Sequence, residues 1–142
     1  MIHDDIPTDI FLPLPNHAGQ SSASRKTGIE IEFAGLSVEG AAQVVRDLWG
    51  GTINPLNDRD LMLTGGRFGE VKVELDISLQ KKWAEDLAAQ VLGGLIPVEI
   101  VTAPLGQADL PQTDKLVGAL RKAGALGTRA RLAYSFGLHL NP

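Results

Sequence analysis

At 142 residues, 44% of them apolar, the chain has room for one domain with a core of its own and not for two comfortable ones. A net charge of −4 and an aromatic share of only 5% speak against nucleic acid as a partner, because phosphate binding wants a basic surface and base stacking wants aromatic platforms. The absence of cysteine removes disulfides, thiolate chemistry and zinc–thiolate sites, and no apolar run approaches a membrane span, so a cytoplasmic protein with no membrane partner is the expectation.

Residues 1–25 carry prolines at 7, 13 and 15, then Asn16-His17-Ala18-Gly19-Gln20 and a serine-rich step. That composition predicts an extended or mobile leader, with His3 and His17 exposed and lacking partners at metal-ligand spacing. The domain proper is expected over 26–142. It opens on Gly28-Ile29-Glu30-Ile31-Glu32-Phe33, whose strict alternation predicts a strand. One face of that strand is apolar, and the other holds two carboxylates about 7 Å apart. Ser37 then reads as a helix N-cap, with Val38, Ala41, Ala42, Val45 and Leu48 as the buried stripe and Gly50-Gly51 as the C-cap. Trp49 reads as core.

Short strands are expected at Thr52-Ile53 and Asp60–Thr64. Gly65-Gly66-Arg67-Phe68-Gly69 lacks the Lys-Ser/Thr and following helix of a phosphate loop, so it reads as a hairpin turn. Val71–Asp76 alternates again, with Lys72, Glu74 and Asp76 on its charged face. A helix capped by Ser78 and closed by Gly93-Gly94 follows, with Leu79, Trp83, Leu87, Val91 and Leu92 inward. In Val98-Glu99-Ile100-Val101-Thr102, Glu99 is a lone carboxylate among apolar neighbours, costly unless water, a cation or a donor meets it. A third helix is expected with Thr113 as cap, Leu116, Val117, Leu120 and Ala123 inward, and Gly124 at its end. Arg131–Asn141 alternates throughout. Its apolar side ends in Leu138 and Leu140, while Gly137, His139 and Asn141 lie on the other, and Gly137 would let a ligand approach the backbone.

Paired in one sheet, these strands predict a two-layer α+β fold with helices on one side. Glu30, Glu32, Glu74, Asp76 and Glu99 would gather with Lys72, His139 and Asn141 on the other. So many carboxylates repel unless a cation compensates them, and hard oxygen ligands favour Mg²⁺, Mn²⁺ or Ca²⁺. The competing reading is an open antiparallel sheet with a wet face, which is common.

Four motifs in order add to that reading. Lys26-Thr27-Gly28-Ile29-Glu30-Ile31-Glu32-Phe33, Val98-Glu99-Ile100-Val101-Thr102-Ala103-Pro104-Leu105, Gly124-Ala125-Leu126-Gly127-Thr128 and Phe136-Gly137-Leu138-His139-Leu140-Asn141-Pro142 resemble the amidoligase family. That family is a branch of the carboxylate–amine ligases related to glutamate–cysteine ligase and glutamine synthetase. The resemblance implies a glutamine-synthetase-like antiparallel sheet curved around the active site, and ATP-dependent activation of a carboxylate as an acyl phosphate that an amine attacks. It further implies Glu30, Glu32 and Glu99 as ligands of Mg²⁺ or Mn²⁺, and His139 beside phosphate or metal with Asn141 as a polar contact. Lys72 and Arg131, with Arg129 and the loop residues Lys26 and Arg67, are the cations available to ATP. Asp76 or Glu74 is the candidate to orient or deprotonate the amine. Substrates would be small-molecule, peptide or protein-tail amines and carboxylates.

Family members continue beyond the histidine strand, so the chain is expected to hold the N-terminal half of the pattern, with a homo-oligomer or a missing C-terminal half supplying the rest. A non-catalytic metal-binding or assembly module with an exposed edge strand, and a metal-dependent hydrolase, are the alternatives.

Overall fold

The computed structural model describes residues 24–76, 97–127 and 137–142. The leader through residue 23, the helix expected after Ser78 and the stretch 128–136, which holds Arg129 and Arg131, lie outside the described residues. The order is β1 (Lys26–Phe33), α1 (Val38–Trp49), β2 (Thr52–Pro55), β3 (Leu61–Thr64), β4 (Val71–Leu75), β5 (Val98–Thr102), β6 (Leu105–Gly106), a 3₁₀ turn (Gln107–Asp109), α2 (Pro111–Ala123) and β7 (Leu138–Asn141). Among the described residues this is an α+β fold of seven antiparallel strands in one sheet and two α-helices.

β1 is the hub. Glu30 pairs with Val101 of β5 on one edge and with His139 of β7 on the other. β4, β3 and β2 extend the sheet outward from β5. β6 continues β5 along the same edge after an irregularity. From Glu30 back to Thr27 is three residues, whereas their partners Val101 and Leu105 are four apart, so one extra residue is inserted. That insertion is a β-bulge, which interrupts the ladder. At this point the buried Ile29 N–H donates to Thr102 Oγ1 at 3.2 Å.

The alternation seen in β1 is what divides the sheet's faces. Ile29, Ile31 and Phe33 are buried and join Val71, Val73, Val98 and Ile100 in one core. α1 adds Val38, Ala41, Ala42, Val45 and Trp49 to it, and α2 adds Leu116 and Leu120. As expected, Ser37 caps α1, accepting from Gly40 N at 3.0 Å, and Gly50 ends it. Leu48 departs from the expected stripe. The buried line runs Val38, Ala41, Ala42, Val45, Trp49, which leaves Leu48 on its margin, 40% exposed. Trp49 is core, edge-on to Phe68 with ring centroids 5.1 Å apart. The 65–69 segment is the β3–β4 hairpin, tied to the end of α1 by Arg67 N donating to Trp49 O.

Further expectations need correction, and Ala123, expected inward on the third helix, is exposed at its last turn. Thr113 is not a cap: α2 begins at Pro111, and Thr113 sits buried within its first turn. Proline's fixed φ suits the first helical position, where its missing N–H costs nothing, so it overrides the hydroxyl as a start signal. Leu138 and Leu140 share Ile29's face through their pairing with β1, yet they are 49% and 55% exposed, because no described helix lies over β7. Glycine is obligatory in the loop after β1. Gly35, between β1 and α1, has φ +89°, and a Cβ there would meet Gly124 O at 2.6 Å.

Candidate functional site

Directly opposed residues on antiparallel strands share a face with Cβ atoms about 4.5–5.5 Å apart, so the register fixes which polar side chains are neighbours. Glu74 of β4 is opposite Glu99 of β5, and Glu99 is opposite Glu32 of β1. Three carboxylates on three adjacent strands therefore stand in one row across the sheet. Extending the β3–β4 register by one residue past the Leu61–Val73 pair adds Asp60 beside Glu74. The next row reads Met62, Lys72, Val101, Glu30, His139. Beyond it, Gly28 faces Asn141.

Electrostatics follows from this crowding. Burial is the largest influence on Glu99 and raises its pKa to about 7, with Glu30, Glu32, Glu74 and Asp76 pushing the same way. Glu32 is also raised, first by burial and then by Asp76 and Glu30, while His139 draws it down. Lys72 is ion-paired to Glu74, and that hydrogen bond raises its pKa further. His139 Nδ1 lies 3.4 Å from Glu30 Oε2, with both side chains reachable by solvent. Asp76, just past β4, donates its backbone N–H to Pro97 O at 3.1 Å, and its charge is felt at both Glu32 and Glu99.

Most of the expected site residues thus come together. Glu32 and Glu99 are cross-strand partners. Glu30 lies in the adjacent row, turned toward His139, and Lys72 and Asp76 flank the row on the β4 side. Asn141 is on the same face two residues beyond His139, whereas Arg131 lies outside the described residues. Asp60 and Val101 were not singled out from the sequence. The alternation through Asp60–Thr64 held a signal for Asp60, but only the register says whose face it shares.

The donor chemistry fits a hard divalent cation. Among the described residues no group of three His, Asp or Glu side chains is arranged to hold a metal ion on its own. Mg²⁺ usually asks for less than such a cage. It keeps several waters and binds through one or two carboxylates plus substrate phosphates, which a neighbouring pair such as Glu32 and Glu99 can supply. Among the described residues no helix is long and apolar enough to cross a membrane.

Comparison with known protein families gives a match. The sequence model of a family described as "putative amidoligase enzyme" matches residues 23–142. No curated protein and no solved structure matches the chain.

Proposed function

The chain belongs to the amidoligase family, and from that premise we propose that it is an ATP-dependent carboxylate–amine ligase with a glutamine-synthetase-like sheet. The observation that carries this reading is the in-register row Glu74–Glu99–Glu32, with Glu99 raised to about 7. Three carboxylates held in register, one of them partly buried with its pKa raised, carry a cost that a bound cation would relieve.

Glu32 and Glu99 would hold Mg²⁺ or Mn²⁺. With ATP and the ion bound, the chemistry supplied is activation of a carboxylate as an acyl phosphate, which an amine converts to an amide. Lys72, one row along and anchored by Glu74, offers a positive charge to phosphate oxygens. Asn141 offers an amide to the same face. Asp76, whose charge reaches Glu32 and Glu99, stands where a carboxylate can orient an incoming ammonium group and accept its proton. Glu30 and His139 act as a pair.

The test is phosphate release from ATP and Mg²⁺ by the full chain, with glutamate or aspartate as acid and hydroxylamine as amine. The expected result is release that needs both acid and amine, with a hydroxamate as product. Release independent of the amine would point to a hydrolase instead. A second reading, a binding or assembly module of the same fold, draws on the exposed Leu138 and Leu140 of β7. It predicts Mg²⁺ binding with no turnover for any acid and amine.

A further inference from the structure

The acidic row does not stop at Glu32. On the far side of β1 its partner is Gly137, whose carbonyl accepts from Glu32 N at 3.0 Å. Glycine leaves that place on the polar face without a side chain, and the place is filled from two residues further along the same strand. A Cβ built on Gly137 would lie 3.1 Å from His139 Nε2 and 3.5 Å from Cδ2. The imidazole is therefore folded back over Gly137, at the end of the row, with Nδ1 toward Glu30. The ring occupies the space over this glycine that the sequence reading left to a ligand.

We propose that Gly137 is a positioning residue: its bare Cα is the seat that lets the His139 ring lie back over the end of the acidic row, with Nδ1 toward Glu30 and Nε2 over the glycine. This rests on the ligase reading for its catalytic consequence, but not for its geometry. An ionised carboxylate only accepts hydrogen bonds, so the 3.4 Å contact is a hydrogen bond when Nδ1 carries the hydrogen, and the proposal assigns it there. In the neutral ring the lone pair is then on Nε2, and the tautomer is fixed by the hydrogen bond its other nitrogen makes. When the imidazole is charged it lowers the pKa of Glu32, which puts the ring within Coulomb reach of that carboxylate. A methyl group at 137 would meet the ring at a distance that few contacts tolerate. The ring is an exposed side chain end, so the imidazole would yield and the backbone would stay. Gly137 has no left-handed backbone to lose, so alanine there is not strained otherwise. Gly28 is the matched control, because a Cβ there meets nothing closer than Asn141 O at 3.8 Å.

The experiment compares the full chain with Gly137→Ala and Gly28→Ala, using nitrogen-labelled histidine and NMR at about pH 8.5, where an ordinary imidazole is neutral. The signal of His139, one of three histidines, is assigned by its loss in His139→Gln. The expected result is a hydrogen on Nδ1 in the wild type and in Gly28→Ala, and loss of that pattern in Gly137→Ala with the melting temperature within about 2 °C of wild type. In the amine-dependent phosphate assay, kcat of Gly137→Ala should fall about 100-fold with KM for ATP little changed, the size expected when a group beside the transferred phosphate is moved by about 1 Å. An unaltered His139 pattern in Gly137→Ala would overturn the proposal, and so would an altered pattern with wild-type kcat. A wild type that turns over no acid and amine would instead remove the ligase reading, and the NMR comparison would then decide the seat by itself.

Discussion

Replacing Glu99 by glutamine should make the protein more stable at alkaline pH and blind to magnesium. In the folded chain this carboxyl is lifted from an ordinary 4.5 to about 7, chiefly by burial and then by Glu30, Glu32, Glu74 and Asp76. A pKa higher in the folded state means that the native protein binds the proton more tightly than the unfolded chain. Stability therefore suffers no penalty below about pH 4.5, falls as pH rises through the window from 4.5 to 7, and stays lowered above it. Taken in full, a change of that size is worth a little over ~3 kcal/mol at ~1.36 kcal/mol per tenfold. Water reaches the group, and screening reduces the expected figure to about 1–2 kcal/mol. Urea titrations followed by tryptophan fluorescence, which reports on the buried Trp49, measure it directly. At pH 8 without metal, Glu99→Gln should be the more stable protein by about 1–2 kcal/mol, equivalent to roughly 3–6 °C in melting temperature. At pH 4.5 the two should coincide. Adding about 10 mM MgCl₂ at pH 8 should stabilise the wild type, because a ligand that binds only the folded state shifts unfolding by mass action, and should leave the variant unmoved. A wild type whose stability is flat from pH 5 to 8, or a variant that keeps its magnesium response, would refute the reasoning.

Two further substitutions test the fold that holds the row. Thr102→Val keeps the shape of the side chain but removes the oxygen that takes the buried Ile29 N–H at the bulge; a loss of about 1–3 kcal/mol is expected in urea titration, and Thr102→Ser should restore most of it. Gly35→Ala forces a Cβ toward Gly124 O from a backbone with φ +89°, so a cost of about 2–4 kcal/mol is expected by thermal unfolding, and a variant within about 0.5 kcal/mol of wild type would show that the loop relaxes freely.

Much of the local structure was legible because it is written in periods. The alternation of β1, β4 and β5 and the spacing of α1 each name an element and its buried face without knowledge of any neighbour. What alternation cannot carry is pairing. Glu74, Glu99 and Glu32 read as three separate carboxylates in the sequence, and only register turns them into a row. Asp60 escaped for the same reason, since its strand was recognised but not whose face it shared. The bulge beside Thr102 left no signal, because the same residues would serve a regular strand. Thr113 has the hydroxyl of a cap, but a proline at the first position of α2 outweighs a hydroxyl two residues later. Leu138 and Leu140 lie on the face their alternation assigns, yet burial of that face depends on which helix lies across it, which the strand's own residues do not encode.

The core and the site are consequences of one decision about β1. Ile29, Ile31 and Phe33 can be buried in only one phase of the strand, and that phase turns Glu30 and Glu32 to the other side. A slip of one residue would flip every side chain, exposing three large apolar groups and burying two carboxylates, so the apolar residues fix the acidic face far more firmly than the acids themselves could. The same register then sets Glu99 opposite Glu32 and His139 opposite Glu30. A repelling arrangement thus persists because undoing it would require giving up the burial of the core. It follows that stability lost to like charge on this face is recoverable by neutralising single acids, whereas the positions of the remaining ones should not move. That separation of energy from geometry is what lets a face of mutually repelling carboxylates keep its arrangement.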